Sequence, residues 1–78
     1  MRVILLTTSE ANALNEIKRF FVNECMIPNS EILADNLGIH PRSAGYLMTQ
    51  LNDLGLIKRN RCNGWRFSRI PYQIEVRG

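Results

Sequence analysis

Apolar and polar residues follow two different periods along this chain. Residues 2–6 are mostly aliphatic and β-branched, which is typical of a short strand. Residues 72–76 alternate apolar and polar side chains, the pattern of a half-buried strand. Between these ends, three stretches repeat apolar residues at spacings of three and four, which predicts three amphipathic helices. The pattern therefore indicates an α+β fold with an extra short strand at each end.

The first helix has a recognisable start. Thr7-Thr8-Ser9-Glu10 has the spacing of a capping box, in which the threonine and glutamate side chains bond each other's backbone N–H groups. The helix should end before Pro28, because the residue preceding a proline is disfavoured in helical conformation. Its predicted apolar stripe consists of Ala11, Leu14, Ile17, Phe21 and Cys25.

The second helix is short and must be held by tertiary packing. Asn29 or Ser30 is expected to cap it, and Gly38 suits the left-handed residue at which a helix ends. The predicted buried face consists of Ile32, Leu33, Ala34 and Leu37.

The third helix follows after a tight turn, Gly38-Ile39-His40. His40 is the expected cap, and Pro41 suits the first turn, where its missing N–H costs nothing. Two helices joined in this way form a helix-turn-helix, with Ile39 as the apolar plug of the turn. The third helix should end at Gly55, and its predicted inward face consists of Ala44, Leu47 or Met48, Leu51 and Leu54.

A basic β-hairpin is predicted after the helices. Leu56–Arg59 and Trp65–Ile70 form its two strands, and residues 60–64 form the loop, in which Asn63-Gly64 favours positive φ. Alternation places Trp65 and Phe67 on the opposite side of the strand from Arg66 and Ser68. We therefore expect the two aromatic rings in the core beneath the hairpin and not on a stacking surface.

Length and charge narrow the function. The chain has 78 residues, enough for one domain spanning residues 1–78, with a core at 7–70. Residues 1–39 carry three Lys or Arg against five Asp or Glu, whereas residues 40–78 carry seven against two. Such a basic half suggests a polyanionic partner, the alternative being an unevenly charged solvated surface.

Several classes of function are not supported. No apolar run approaches the roughly 20 residues that span a bilayer, and no secretory leader is evident, so we expect a cytoplasmic protein without membrane contact. Two cysteines (Cys25 and Cys62) and one histidine do not make a four-ligand zinc site. No phosphate-binding glycine loop, paired carboxylates or Cys-His nucleophile pattern occurs. We expect no enzymatic activity, no cofactor and no metal.

The residues Ile32 to Ser43 and Leu47 to Ile57 resemble the helix-turn-helix, the recognition helix and its exit into the wing in bacterial winged-helix regulators. The resemblance is best to the N-terminal DNA-binding domain of LexA repressors, and MarR-like regulators share the pattern. It covers roughly residues 6–70. The turn before the third helix is one residue shorter than in LexA domains, the recognition residues differ, and the end strands are not part of the resemblance. The implied fold is a winged helix-turn-helix.

The resemblance implies a double-stranded DNA-binding transcriptional regulator, for instance a repressor of prokaryotic, phage or plasmid origin. The third helix would enter the major groove, where Arg42 suits guanine and Gln50 suits adenine. The hairpin would act as a wing on the DNA backbone or in the minor groove. The candidate DNA-binding residues are Ser30, His40, Arg42, Ser43, Gly45, Tyr46, Thr49, Gln50, Lys58, Arg59, Arg61, Asn63 and Arg66.

Two alternatives remain open at this point. The chain could be a winged-helix protein-interaction module, an adaptor or an inhibitor, or a non-specific DNA binder in replication or packaging. The partner strands of the chain ends are also open: residues 2–6 and 72–76 could pair within one chain, or could join two chains in a homodimer.

Overall fold

The computed structural model describes residues 2–59, 64–69 and 71–77. The elements follow in the order β1 (Arg2–Thr7), α1 (Thr8–Glu24), α2 (Ser30–Leu37), α3 (Pro41–Asp53), β2 (Ile57–Arg59), β3 (Trp65–Phe67) and β4 (Tyr72–Arg77). The chain is thus a small α+β domain with three helices, an antiparallel two-stranded hairpin and a parallel strand pair. The end strands are each one residue longer than predicted, and the return strand of the hairpin ends at Phe67, with Ile70 outside the described residues.

The predicted helix starts are confirmed. Thr7 Oγ1 accepts from the Glu10 N–H at 3.2 Å, and the Thr7 N–H donates to Glu10 Oε1 at 2.9 Å, which completes the capping box. Asn29, and not Ser30, caps α2 by accepting from the Ile32 N–H at 2.9 Å. Each of these side chains satisfies a backbone N–H that the helix itself leaves unpaired.

The turn between α2 and α3 also follows the prediction. Gly38 has φ 68°, in the left-handed region, and ends α2. The Ile39 N–H then donates to the Ala34 carbonyl at 3.0 Å, as in a Schellman motif, and the Ile39 side chain is half-buried against the core. His40 caps α3 through Nδ1, which accepts from the Arg42 N–H at 3.1 Å.

The apolar stripe of α1 is only partly as predicted. Leu14 and Ile17 are buried, and Ala11 is half-buried. Phe21 is 42% exposed and Cys25 is exposed, so their predicted burial is wrong. The last turns of α1 extend past the core, and Cys25 ends the helix with φ 58°. Phe21 instead meets the edge of the Phe67 ring, with centroids 5.1 Å apart.

The two end strands pair with each other in parallel. Arg2 lies opposite Tyr72, Ile4 opposite Ile74 and Thr7 opposite Arg77. Two further bonds fix this sheet to the helices. Arg2 Nη2 donates to the Leu54 carbonyl at the end of α3, at 3.1 Å, and Thr8 Oγ1 donates to the Arg77 carbonyl at 3.4 Å. Pairing of the end strands within one chain does not exclude pairing between two chains, because it uses only one edge of β4.

The core lies between the three helices, β1 and the start of the hairpin. Ile27, in the loop between α1 and α2, also belongs to the core. So do Leu56 and Ile57, at the start of the hairpin. α3 ends at Asp53, two residues before the predicted Gly55; Leu54 keeps a helical conformation as the cap, and Gly55 follows with φ 80°. Among the described residues, the buried apolar side chains are Ile4, Leu6, Ala13, Leu14, Ile17, Ile27, Leu33, Ala34, Ala44, Met48, Leu51, Leu56 and Ile57.

None of the three helices combines the length and the apolar character needed to cross a bilayer, within the part of the chain that the structure describes.

Candidate nucleic-acid interface

α3 presents one polar ridge to solvent. Ala44, Met48 and Leu51 are buried on its inner side. Because a helix turns by about 100° per residue, Arg42, Tyr46 and Thr49 then fall on the opposite side, and all three are exposed. Thr49 Oγ1 donates to the Gly45 carbonyl at 3.0 Å, so its hydroxyl proton is used within the helix. The Thr49 methyl group and the oxygen lone pairs remain available to a ligand.

One flank of this ridge faces α1. Ser43, Leu47 and Gln50 line an open cleft of about 790 Å³ together with the first turn of α1. Ser43 is exposed, whereas Gln50 is half-buried and lies on the side wall of the helix. The floor of this cleft is apolar, because Leu37, Ile39 and Leu47 form it.

The other flank faces α2 and the hairpin. Gly45 and Thr49 line a second cleft, of about 550 Å³, whose other walls are Ser30 at the start of α2 and Arg59 on β2. Gly45 is half-buried here, beside Ser30. A Cβ on Gly45 would lie 3.9 Å from Ser30 Cβ, an ordinary contact, so the helix packing does not itself require glycine.

The hairpin places Trp65 and Phe67 on the opposite face from Arg66, as predicted. Trp65 and Phe67 are half-buried and packed against the core. On the other face, Lys58 lies directly opposite Arg66 in the strand register, and both are exposed. Arg59 stacks over its cross-strand partner Trp65, with the guanidinium carbon 5.4 Å from the ring centroid.

Three cations gather at a shallow depression on the outer face of the hairpin. Lys58, Arg66 and Arg69 border a space of about 160 Å³, with Ser68 beside them. Like charges directly opposite on neighbouring strands repel. Within residues 2–59, 64–69 and 71–77, none of these three side chains forms a salt bridge. The local charge is therefore left for solvent or for an anionic ligand.

In the acidic half of the molecule, by contrast, one cluster of polar and charged side chains is paired within itself. Arg19 Nη2 contacts Glu16 Oε2 at 2.6 Å, and Asn36 Nδ2 donates to the same oxygen at 3.2 Å. The hydrogen bond from Arg19, helped by its charge and by Asn36, lowers the pKa of Glu16. This cluster ties α1 to α2 and satisfies its own charges.

Three further predicted site residues are His40, Arg61 and Asn63. His40 is exposed at the start of α3, and because Nδ1 accepts the capping bond, Nε2 is the ring nitrogen left for a ligand. Arg61 and Asn63 lie outside the described residues, so the predictions for them stay predictions.

Sequence reasoning missed Asn52, which lines the cleft between α3 and the hairpin. Its spacing of seven residues from Gly45 along α3 was the available signal.

No protein-family model matches this sequence, and a search of curated proteins finds no similar sequence.

Proposed function

We propose that this protein is a sequence-specific double-stranded DNA-binding regulator of the winged helix-turn-helix type. The observation that carries the proposal is that Thr49 of the exposed α3 ridge and Arg59 of the hairpin line one open cleft. The ridge supplies Arg42, Tyr46 and Thr49. The hairpin supplies Arg59 in this cleft, and Lys58, Arg66 and Arg69 at the depression on its opposite face.

The proposed contacts follow from the chemistry of these side chains. α3 lies in the major groove with its N-terminal turn near the base edges, where Arg42 donates two bonds to guanine. Thr49 offers its methyl group to a thymine. Tyr46 and the His40 Nε2 are within the reach of phosphates on the groove wall. Gln50 contacts adenine only if its side chain extends from the half-buried wall of the cleft.

The hairpin is the electrostatic part of the proposed interface. Lys58 and Arg66 are exposed and have no acidic partner among the described residues. A phosphate between them replaces repulsion by attraction, and condensed counterions leave the DNA as it binds. The proposed role of the wing is therefore to supply affinity and register, while α3 supplies sequence preference.

A salt series on random duplex DNA tests the proposal. The logarithm of the binding constant is expected to fall steeply with the logarithm of the salt concentration, and Lys58→Ala should reduce that slope by about one. The matched control is Lys18→Ala, which removes the same charge from α1, where Lys18 lies over Tyr72 and not at the proposed interface. A slope that Lys18→Ala lowers as much as Lys58→Ala would contradict the proposed surface.

Selection and sequencing of the bound fragments completes the test. An enriched motif supports a specific regulator. A steep salt dependence without a motif supports a non-specific role in replication or packaging. No binding at low salt contradicts DNA binding altogether and favours a protein-interaction module. That second candidate is supported by the apolar floor of the cleft between α1 and α3, formed by Leu37, Ile39 and Leu47.

A further inference from the structure

β4 is the less covered strand of the parallel pair. The register places Ile4 opposite Ile74 and Leu6 opposite Val76, so the members of each pair share one face of the sheet. Ile4 is 4% exposed and Leu6 is 1% exposed. Their partners are less covered: Ile74 is half-buried, and Val76 is 54% exposed. The helices thus cover β1 and leave the far part of β4 in solvent.

The outer edge of β4 has no strand beside it among the described residues, where the sheet consists of β1 and β4 alone. Two-stranded sheets are marginal, and parallel strands are normally covered on both faces. An unpaired edge presents backbone N–H and C=O groups to any strand that fits. The occupant must therefore supply a strand and an apolar side chain for Val76.

We propose that a second copy of this chain supplies both, by pairing its β4 antiparallel to this β4 across a two-fold axis at Ile74. The result is a four-stranded sheet in the order β1-β4-β4-β1. Tyr72 then lies opposite Val76 of the second copy, and the reverse pair forms by symmetry. This aromatic and β-branched pair is a favourable one, and it covers the exposed valine.

Charge selects this register over its neighbour. On the solvent face, the two-fold at Ile74 places Gln73 opposite Glu75 of the second copy, a pair that can hydrogen-bond. Moving the axis by one residue also pairs five positions, but it places Glu75 opposite Glu75, and like charges directly opposite are unfavourable. β4 is therefore self-complementary in one of the two antiparallel registers that pair five of its six residues.

The solution mass, measured by light scattering over a range of protein concentrations without DNA, tests the association. The wild-type chain is expected to be a dimer. Val76→Asp should raise the dimer dissociation constant about tenfold or more, because the symmetry introduces the change twice. The matched control is Val3→Asp: Val3 is 52% exposed on the opposite face of the same sheet and is not in the proposed contact.

Two results of this measurement would overturn the inference. One is a wild-type monomer at all concentrations. Another is dissociation by Val3→Asp with Val76→Asp unchanged, which indicates stacking of the outer faces. Thermal melts of both variants show whether each remains folded; if Val76→Asp unfolds, the cross-link below decides alone.

Cross-linking tests the register directly. In a background with Cys25→Ser and Cys62→Ser, chains carrying Ile74→Cys should form a disulfide with one another, because the two-fold axis places Ile74 opposite Ile74. A mixture of chains carrying Gln73→Cys and chains carrying Arg77→Cys should not, and efficient cross-linking in that mixture would overturn the register, because these positions face each other when the axis lies at Glu75. The association itself does not depend on DNA; only its consequence, a palindromic site, rests on the proposed function. A monomer that binds DNA overturns the dimer alone, and a dimer that does not bind DNA overturns the proposed function alone.

Discussion

The two small sheets of this molecule differ in the number of residues that they pair and in the side chains on their faces. β1 and β4 pair over six positions, although they stand some 70 residues apart in the chain, and their inner face is apolar. β2 and β3 pair over three positions within one hairpin, and their outer face carries Lys58 opposite Arg66. The first sheet covers the helices and the second exposes charge.

This difference shows where each sheet derives its stability. Leu6 on β1 contributes buried apolar area, which is the dominant favourable term in folding. The hairpin contributes Phe67 to the contact with α1, but it retains an unfavourable charge pair on its outer face. A pair that costs stability in the free protein is understandable if the charge serves binding, as proposed above.

The largest expected effect separates the two faces of β1. Leu6→Ala should reduce the free energy of unfolding by about 2–5 kcal/mol, because a buried leucine leaves a cavity. Leu5→Ala on the same strand should cost less than about 1 kcal/mol, since Leu5 is 45% exposed. Urea unfolding measures both. Equal losses would mean that the outer face of the parallel sheet is as well covered as the inner one.

The next effect has opposite signs for stability and binding. Arg66→Glu converts a like-charge pair with Lys58 into an attractive pair, so the free energy of unfolding should rise by up to about 1 kcal/mol. The same change should lower affinity for DNA about tenfold or more at low salt, because it places a carboxylate in the proposed phosphate contact. Lys18→Glu is the control of equal charge reversal. A variant that is both less stable and equally able to bind would contradict the role given to the hairpin.

The smallest effect lies outside both sheets, at the link between α1 and α2. The pKa of Glu16 is lowered by the hydrogen bond from Arg19, so the ionised form is favoured in the folded state. This contribution is present above the unfolded-state pKa and is lost as the pH falls through the lower folded-state value. Glu16→Gln should therefore lower the urea midpoint slightly at neutral pH and not at strongly acidic pH. A difference that persists in acid would indicate a loss of packing instead.

Local signals predicted much of the fold. The capping residues Thr7, Asn29 and His40 fix where helices begin through bonds to residues two or three positions away, so the sequence contains all the partners. The stripe of α1 was overextended to Phe21 and Cys25 because periodicity reports a face and not how far the core reaches along it. The parallel partner of β1 could not be chosen, since pairing over such a separation is set by the packing of everything between.

The candidate site, like the fold, was predicted only in part. Helical spacing predicted the ridge of Arg42, Tyr46 and Thr49, because the buried side of α3 determines its exposed side. It did not predict that Gln50 lies on the wall toward α1 or that Asn52 joins the cleft toward the hairpin. Those positions depend on how α1 and the hairpin dock against α3. DNA binding itself stays a prediction until the salt series is measured.

The parallel pairing of β1 and β4 has a mechanical consequence. Because the strands run in the same direction, a pull applied to Arg2 and Arg77 draws them in opposite directions along their length. The hydrogen bonds of the ladder are then loaded together in shear and are not opened one by one. The three helices and the hairpin lie between these two attachment points, so they carry no tension until the strands slide apart. The sheet thus acts as a clamp that shields the rest of the domain from force.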